Sequence, residues 1–279
     1  MKVNLCWDQQ FSYLRLKGSG ARSFLHGQTT ANVLEKKDGE IFLTLWLSTT
    51  GKVRALIETR LDSEGASLIV LGGDQSLLKK AFESVIFPSD NVKLFQMEGL
   101  RRIQIINSLE KDFLGKKTWL GTDDLIIAPF NIFSKANEIE IEVWRLKIGL
   151  PIGCREINGE NNPFELGLSH LINFDKGCYL GQEAIARLSR QGAIRRKLIC
   201  WRSSFNIAEG DKIQRVDNKE DILRKVGIIT SSSNYTREEG TLGLGFVSIN
   251  SLNEDNYCID LNQKSISINS ISLELAKFI

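Results

Sequence analysis

The chain has 279 residues, of which 42% are apolar and 25% are charged, and 36 basic residues nearly balance 34 acidic ones. This composition is typical of a globular protein with a substantial core and argues against a disordered chain. Because the formal net charge is only +2, the whole molecule offers no strong field for a polyanion, and a nucleic-acid partner would need a local basic cluster.

The N-terminal residues M-K-V-N-L-C-W-D-Q-Q lack the apolar core of a signal peptide. The strongest apolar runs, such as I-F-L-T-L-W-L from Ile41, are too short to span a bilayer. We therefore expect a cytoplasmic protein with no membrane partner.

The cysteines are odd in number and form no C-x-x-C pair; they are Cys6, Cys154, Cys178, Cys200 and Cys258. The only histidines, His26 and His170, form no metal-binding spacing with each other or with a cysteine. This pattern favours reduced thiols and predicts neither a disulfide framework nor a permanent metal site.

Strand and helix patterns alternate as far as about residue 195. Helices are predicted over A-R-S-F-L-H-G from Ala21, opened by a small polar cap, and over S-L-L-K-K-A-F-E-S-V-I-F from Ser76. The predicted strands of this part are Phe11–Leu16, Glu40–Leu47, Lys52–Leu61, Ser67–Leu71, Val92–Phe95, Arg101–Ile106 and Leu125–Ile127.

The segment Ile139–Ile148 is ambiguous, since its first half alternates like a strand and its G-L-P stop suits a helix end; we favour a helix. After Arg195 the pattern changes to short strand-like segments separated by Gly, Asn and Ser. They are R-K-L-I-C-W-R, K-V-G-I-I-T, L-G-L-G-F-V-S-I, Y-C-I-D-L and I-S-I-N-S-I-S-L-E-L. This pattern is typical of a small antiparallel barrel or sandwich.

The stretch N-F-D-K-G-C-Y-L-G-Q-E-A-I-A-R from Asn173 places Cys178 just before a predicted helix that begins near Gly181. The positive end of that helix and the Lys176 ammonium would both favour the thiolate. The alternative is that Cys178 packs as a small apolar group under the loop.

On the predicted helix, Glu183, Arg187 and Arg190 share one face. They form either a solvated surface or a carboxylate and guanidinium that face a ligand. The run from Arg187 to Lys197 contains five basic residues and no acidic one, which suits a solvated face or a phosphate-bearing partner.

Two further stretches carry weaker signals. Gln28, Thr29 and Thr30 follow a predicted helix end, where we favour a capping role over a pocket lining. Glu156 and Glu160 lie in a Gly-rich loop, where a carboxylate either binds a pair of N–H donors or is simply exposed.

Taken together, K-G-C-Y-L-G-Q-E, the early F-L-H-G-Q-T-T, and R-L-K-I-G-L-P before P-F-E-L-G-L closely resemble the YgfZ-type folate-binding proteins. That family is related to the glycine-cleavage T-protein, an aminomethyltransferase. The resemblance implies an α+β fold, a three-domain cloverleaf with two α+β domains and a C-terminal antiparallel β-barrel. It also implies that the domains are 1–46 with 139–195, 47–138, and 196–279.

The family resemblance also implies a ligand, tetrahydrofolate or a one-carbon derivative, and a role in assembly or repair of iron–sulfur clusters in client enzymes, including one that modifies tRNA. Cys178 matches the cysteine on which this role is thought to depend. A carboxylate suits the adjacent N–H groups of a pterin, and a cation suits the glutamate tail. The implied folate-binding residues are Lys176, Tyr179, Gln182, Glu183, Arg187 for the tail or a carboxylate network, and Glu160 for the pterin.

One departure from the T-protein pattern concerns G-K-V-R-A-L-I-E-T-R-L, where T-proteins carry an acidic pair that positions the folate. Arg54, Ala55 and Leu56 stand there, and the loss of a positioned acid typically removes a rate factor of about 10² or more. Classical aminomethyl transfer is therefore disfavoured. Two alternatives stay open, a folate-dependent one-carbon transferase or demethylating enzyme, and a tRNA-binding module.

Overall fold

A computed structural model of the protein describes residues 3–121, 123–192, 194–217, 222–236, 240–252, 257–261 and 264–271. The chain divides into two compact units. Unit 1 consists of Met1–Asn137, Ile157–Asn162 and His170–Arg190. Unit 2 consists of Glu138–Glu156, Pro163–Ser169 and Gln191–Ile279.

The helices are α1 (Ala21–Gln28), α2 (Gln75–Glu83), α3 (Glu138–Lys147) and α4 (Gln182–Gln191). The strands of unit 1 are β1 (Leu5–Lys17), β2 (Ile41–Leu47), β3 (Val53–Asp62), β4 (Gly65–Gly73), β5 (Lys93–Asn107), β6 (Lys117–Leu120) and β7 (Ser134–Lys135). The strands of unit 2 are β8 (Arg196–Ser203), β9 (Lys212–Asp217), β10 (Ile222–Thr236), β11 (Gly240–Ser248), β12 (Tyr257–Leu261) and β13 (Lys264–Ile271).

Unit 1 is built on one sheet with the strand order β2-β3-β4-β1-β5-β6. These strands pair antiparallel, and β7 adds a short parallel pairing to β1. Strands β3 and β6 are separated by β4, β1 and β5 in the sheet order. They nevertheless come into contact, since Nη1 of Arg60 on β3 donates to the carbonyl oxygen of Trp119 on β6 at 3.2 Å, which shows that the sheet curls strongly.

The main apolar core of unit 1 joins α1 and α2 to the sheet. Phe82 of α2 makes edge-to-face contacts with Phe24 of α1, at a centroid distance of 5.3 Å, and with Trp46 of β2, at 6.2 Å. Asp74 caps α2 by accepting the backbone N–H groups of Ser76 and Leu77. The cap and the core together hold α2 against the sheet.

A buried polar cluster also links the curled sheet of unit 1. The Glu58 carboxylate is fully buried on β3 and accepts from Arg102 at 2.7 and 3.0 Å, from Lys117 at 2.9 Å and from Trp119 Nε1 at 2.8 Å. Burial raises the pKa of Glu58, but Arg102 and Lys117 outweigh burial and bring the pKa down to about 2. Glu58 is therefore ionised and fully engaged in the interior.

The six strands of unit 2 pair antiparallel in a closed ring, in the order β10-β11-β8-β13-β12-β9, with β9 returning to β10. Apolar side chains from this ring form a separate core that includes Ile199, Trp201, Ile213, Ile229 and Val247.

Helix α3 belongs to unit 2 and has charges that match its dipole, with Glu138 and Glu140 in the first turn and Arg145 and Lys147 in the last. Arg145 is buried; it donates to Ser231 Oγ on β10 at 2.9 Å and to the Glu142 carboxylate at 2.5 and 2.6 Å. Helix α3 is thereby joined to the ring by a hydrogen-bonded cation.

Most of the predicted elements are confirmed, including the helix at Ile139–Ile148 and the strands after Arg195 within the described residues. The end of the last predicted strand, beyond Ile271, lies outside the described residues. Two predicted strands, Val92–Phe95 and Arg101–Ile106, are parts of the single strand β5, which carries a register shift opposite Phe11 and Tyr13.

Two predictions of local structure are wrong. Leu125–Ile127 forms no strand, because Leu125 is 86% exposed and Ile127 61% exposed, with no sheet to cover them. Helix α1 has no polar side-chain cap, since Gly20 stands at the N-cap. Glycine is required there by close packing, because a Cβ on Gly20 would lie 1.6 Å from the carbonyl oxygen of Asp90.

The three-domain division stays a prediction. Its boundary at residue 46 falls within β2, and strands from both sides of that boundary pair in one sheet. Along the described part of the chain, no helix has both the length and the apolar character needed to cross a membrane.

Candidate functional site

The loop that carries Cys178 lies in unit 1, between His170 and the start of α4 at Gln182. Cys178 is exposed, so the alternative that it packs under the loop is wrong. Cys6 and Cys200, by contrast, are buried, and burial raises the pKa of their thiols to about 11 and about 12. The Cys178 thiol is thus open to a reaction partner, unlike these two.

Lys176 holds the loop on the C-terminal end of α1. The side chain is only 7% exposed, and its Nζ donates to the carbonyl oxygens of His26, Thr29 at 2.7 Å and Ala31 at 2.9 Å. An ammonium has three N–H donors, so all are used. Burial lowers the pKa of Lys176 to about 8, which leaves it protonated at neutral pH.

Main-chain hydrogen bonds anchor the same loop. Leu180 N–H donates to the carbonyl oxygen of Gly27 at 3.2 Å, and Asn173 N–H donates to that of Thr30 at 3.1 Å. Lys176 also lies 4.8 Å from the centre of the Tyr179 ring, within the range of a cation–π contact. The loop is therefore fixed to α1 before and after Cys178.

Two glycines flank the cysteine, but only Gly181 has a conformation that requires glycine. Its φ is +83°, and a Cβ there would lie 2.4 Å from the carbonyl oxygen of Ser48. At Gly177 the nearest atom to an added Cβ would be His26 Nε2 at 3.7 Å, an ordinary contact. Gly181 therefore lets the loop approach the turn between β2 and β3.

We expect Gly181→Ala to lower the free energy of unfolding by about 2 kcal/mol or more, because it adds left-handed backbone strain to a steric clash. Gly177→Ala is the matched control and is expected to change it by less than about 0.5 kcal/mol. Urea unfolding of the two variants checks this. Equal effects of the two substitutions would contradict the assignment.

An open cleft of about 480 Å³ lies beside the loop. Its lining comes from the end of α1, the β2–β3 turn, the cysteine loop and the start of α4. The lining residues are Gly27, Gln28, Thr49, Cys178, Tyr179, Leu180, Gly181, Gln182 and Glu183. The cleft therefore brings four of the predicted site residues together, namely Cys178, Tyr179, Gln182 and Glu183.

The other predicted site residues lie elsewhere in unit 1. Lys176 is buried below the loop, and Arg187 is exposed on α4 one turn after Glu183. Glu160 is exposed next to Asn161, whose carbonyl oxygen accepts the Val53 N–H at the start of β3. None of these three is among the described residues that line the cleft. Their folate-binding roles stay predictions.

Sequence reasoning missed two residues of the lining. For Gln28 the sequence favours a cap over a pocket lining, and the structure places it in the lining; Thr49 lies in S-T-T-G, which signals only a turn. Thr29 and Thr30 are fully buried, and Thr29 Oγ1 bonds the carbonyl oxygen of Leu25, which is a capping contact. Gln28, the last residue of α1, is half-buried and lines the cleft, whereas the two threonines that follow it are buried.

The basic run from Arg187 to Lys197 is divided between the two units. Arg190 Nε donates to the carbonyl oxygen of Ala186 at 3.2 Å. Arg196 pairs with Glu165 at 3.5 Å and lies 4.6 Å from the centre of the Phe246 ring. Some of these basic groups are therefore engaged by their own unit.

At the β3 position for which the sequence resemblance implies a missing acidic pair, Ala55 and Leu56 are fully buried, and the Arg54 guanidinium lies 5.5 Å from the centre of the Trp46 ring. The carboxylate further along β3, Glu58, is held by Arg102 and Lys117. Within the described part of β3, no carboxylate is left to position a ligand at Arg54–Leu56.

The described residues contain no group of three or more His, Cys, Asp or Glu side chains arranged to hold a metal ion. The chemical groups that the cleft offers are a thiol, a carboxylate, two amides and the hydroxyl of Thr49, while the hydroxyl of Tyr179 is buried. These groups can accept and donate hydrogen bonds and provide one nucleophile.

Comparison with known proteins agrees with this fold. No protein-family model matches the chain. The chain is similar to a putative chloroplastic transferase of Arabidopsis thaliana, 26% identical over 279 residues, with 85% of this chain and 63% of that protein covered. It is also similar to the tRNA-modifying protein YgfZ of Aliivibrio fischeri, 27% identical over 275 residues, with 88% and 85% covered.

Among solved structures, the chain is similar to the glycine cleavage system aminomethyltransferase T from Bartonella henselae, with a TM-score of 0.77 and 14% identity over 98% of this chain and 87% of that one. The chain therefore has an aminomethyltransferase-like fold, with helices and antiparallel sheets. Within that class it is a relative of the proteins named YgfZ, which confirms the resemblance seen in the sequence. It spans less than two thirds of the Arabidopsis protein.

Proposed function

We propose that the protein is a tetrahydrofolate-binding accessory protein that supports assembly or repair of iron–sulfur clusters in client enzymes through the Cys178 thiol. The observation that carries the proposal is the exposed Cys178 in an open cleft, on a loop fixed to α1 by Lys176. The relatives named tRNA-modifying protein YgfZ and aminomethyltransferase support it.

The residue types suit a folate. The cleft offers carboxylate and amide oxygens as acceptors for the N–H groups of a pterin. Arg187 is exposed one helical turn after Glu183 and suits the glutamate tail. The cloverleaf of three domains that the resemblance implies, and a cytoplasmic location in which thiols stay reduced, are parts of this proposal.

The two alternatives, a one-carbon transferase and a tRNA-binding module, have less support than the accessory role. A one-carbon transferase would need a positioned acid, and the position of the acidic pair holds Arg54, Ala55 and Leu56. A tRNA-binding module would use the basic run from Arg187 to Lys197 as a whole, and Arg196 of that run is already paired with Glu165. The accessory role requires only the ligand cleft and the accessible thiol.

We expect Cys178→Ser to lose most of the ability to restore iron–sulfur enzyme activity in a bacterial strain that lacks its YgfZ-named protein. Serine keeps the shape of the side chain but is a far weaker nucleophile and metal ligand than a thiolate. The measurement is the specific activity of an iron–sulfur enzyme, with equal amounts of the two forms confirmed by immunoblot.

Cys154→Ser is the matched control, because Cys154 is also exposed but belongs to unit 2. It is expected to restore activity as the unaltered chain does. Full restoration of iron–sulfur enzyme activity by Cys178→Ser would show that the thiol is not needed. Turnover of a one-carbon tetrahydrofolate by the pure protein would favour the transferase instead.

A further inference from the structure

The cleft beside Cys178 has an uneven set of charges. Among its described lining residues, one side chain is acidic, Glu183, and none is a lysine or arginine. Lys176 lies close in sequence, but its ammonium is committed to three carbonyl oxygens of the α1 end. The lining is therefore suited to a group that presents hydrogen-bond donors, and an anionic group would be repelled.

Glu183 is available to bind such a group. It is exposed in the first turn of α4, and no hydrogen bond or ion pair with another described residue holds its carboxylate. Arg187 follows one turn later on the same helix face, yet no ion pair of 4 Å or less joins the two among the described residues. This contrasts with Glu58, whose oxygens are all engaged by Arg102, Lys117 and Trp119.

Tyr179 adds an aromatic surface to the same cleft. The residue lines the cleft and is 6% exposed, and its hydroxyl group is buried without a hydrogen-bond partner. Buried hydroxyl groups usually have a partner. The hydroxyl is closed off from the cleft, so a bound molecule would reach it only after the ring turned towards the cleft.

We infer that Glu183 recognises the head group of the ligand in this cleft by accepting two adjacent N–H groups with its two carboxylate oxygens, beside the Cys178 thiol. This inference rests on the proposed function, in which the donor pair is the ring N–H and amino group of a pterin. It assigns to Glu183 the role that the sequence suggested for Glu160. The anionic tail then lies outside the cleft, on the side of Arg187.

The arrangement explains why a carboxylate and a guanidinium stand one turn apart on α4 without pairing. A ligand with donors at one end and a carboxylate at the other matches them in that order. An amide at position 183 would present one acceptor and one donor, so it would oppose one of the two ligand N–H groups. The same cleft would reject molecules that lack the donor pair.

The test is titration calorimetry with tetrahydrofolate, kept reduced with ascorbate, on the unaltered chain, Glu183→Gln and Glu160→Gln. We expect Glu183→Gln to weaken binding by about 10-fold to 100-fold, and Glu160→Gln to change it by less than about twofold. Both glutamates are exposed, so neither substitution should disturb folding.

The rate at which iodoacetamide alkylates Cys178 gives a second readout. Without folate, alkylation of Cys178 in all three proteins shows that the loop is accessible, and this rate is the reference for each protein. With folate, the unaltered chain and Glu160→Gln should be protected, and Glu183→Gln should not be.

The outcomes separate the two proposals. If the unaltered chain binds tetrahydrofolate and Glu183→Gln binds it equally well, the assignment of Glu183 is wrong and folate binding stands. If Glu160→Gln alone loses binding, the pterin lies at Glu160. If the unaltered chain binds no tetrahydrofolate, the proposed function itself fails, and the assignment of Glu183 fails with it.

Discussion

Replacing Lys176 with methionine is expected to lower the free energy of unfolding by about 3–5 kcal/mol. The change removes a buried cation that donates to the carbonyl oxygens of His26, Thr29 and Ala31. Each carbonyl left without a donor costs roughly 1–3 kcal/mol, although part of this is recovered where water can enter. Urea unfolding followed by circular dichroism measures the change.

Lys80→Met is the matched control, because it makes the same chemical change at an exposed position of α2. Its effect should stay below about 0.5 kcal/mol. Lys176→Met should also increase the rate of proteolysis within the cysteine loop, since the loop loses its bonds to α1. A loss of stability below about 1 kcal/mol would show that Lys176 does not hold the loop.

Replacing Glu58 with glutamine is expected to destabilise the protein by about 3–5 kcal/mol at neutral pH. The substitution leaves the buried Arg102 without its bidentate acceptor and Lys117 without its counter-charge. Glu98→Gln, at an exposed position on β5, is the matched control and should have little effect. Urea unfolding at pH 7 gives both values.

The pH dependence of stability gives the sign of the Glu58 contribution. The pKa of Glu58 is about 2 in the folded chain against an ordinary 4.5, so the unfolded chain binds more protons between these values. The stability due to ionised Glu58, about 3 kcal/mol, is present above pH 4.5 and is lost as pH falls through 2. The free energy of unfolding of the Glu58→Gln variant should therefore fall less steeply between pH 4.5 and pH 2 than that of the unaltered chain. Parallel curves of unfolding free energy against pH would contradict this.

The sequence predicted the region around Cys178 well because the relevant signals are local. Gly181 marks a turn, and the spacing of Ile185 against Glu183 and Arg187 predicts which face of α4 is buried. In the structure, Ile185 is buried and the two charged residues are exposed. The sequence does not determine whether the Cys178 thiol is exposed, because exposure depends on how the loop packs against α1.

Contacts between distant residues could not be predicted in this way. The ammonium of Lys176 meets carbonyl groups 145 to 150 positions earlier in the chain, and a backbone carbonyl gives no signal in the sequence. Glu58 meets Arg102 only because the sheet curls, and curvature is a property of the whole sheet. Thr49 joins the cleft because Gly181 allows the loop to approach the turn after β2.

The closed ring of strands in unit 2 has a consequence for self-association. Each of the described strands β8 to β13 has two neighbours, so within the described residues the ring has no end strand to which another chain could add. In unit 1, β2 and β6 stand at the two ends of the strand order and have one neighbour each among the described strands. Both edges are partly covered by unit 1 itself, because Thr30 bonds the backbone N–H and carbonyl groups of Leu45 on β2 and Arg60 bonds the carbonyl oxygen of Trp119 on β6. These contacts oppose strand-by-strand addition of a second chain at either end of the sheet.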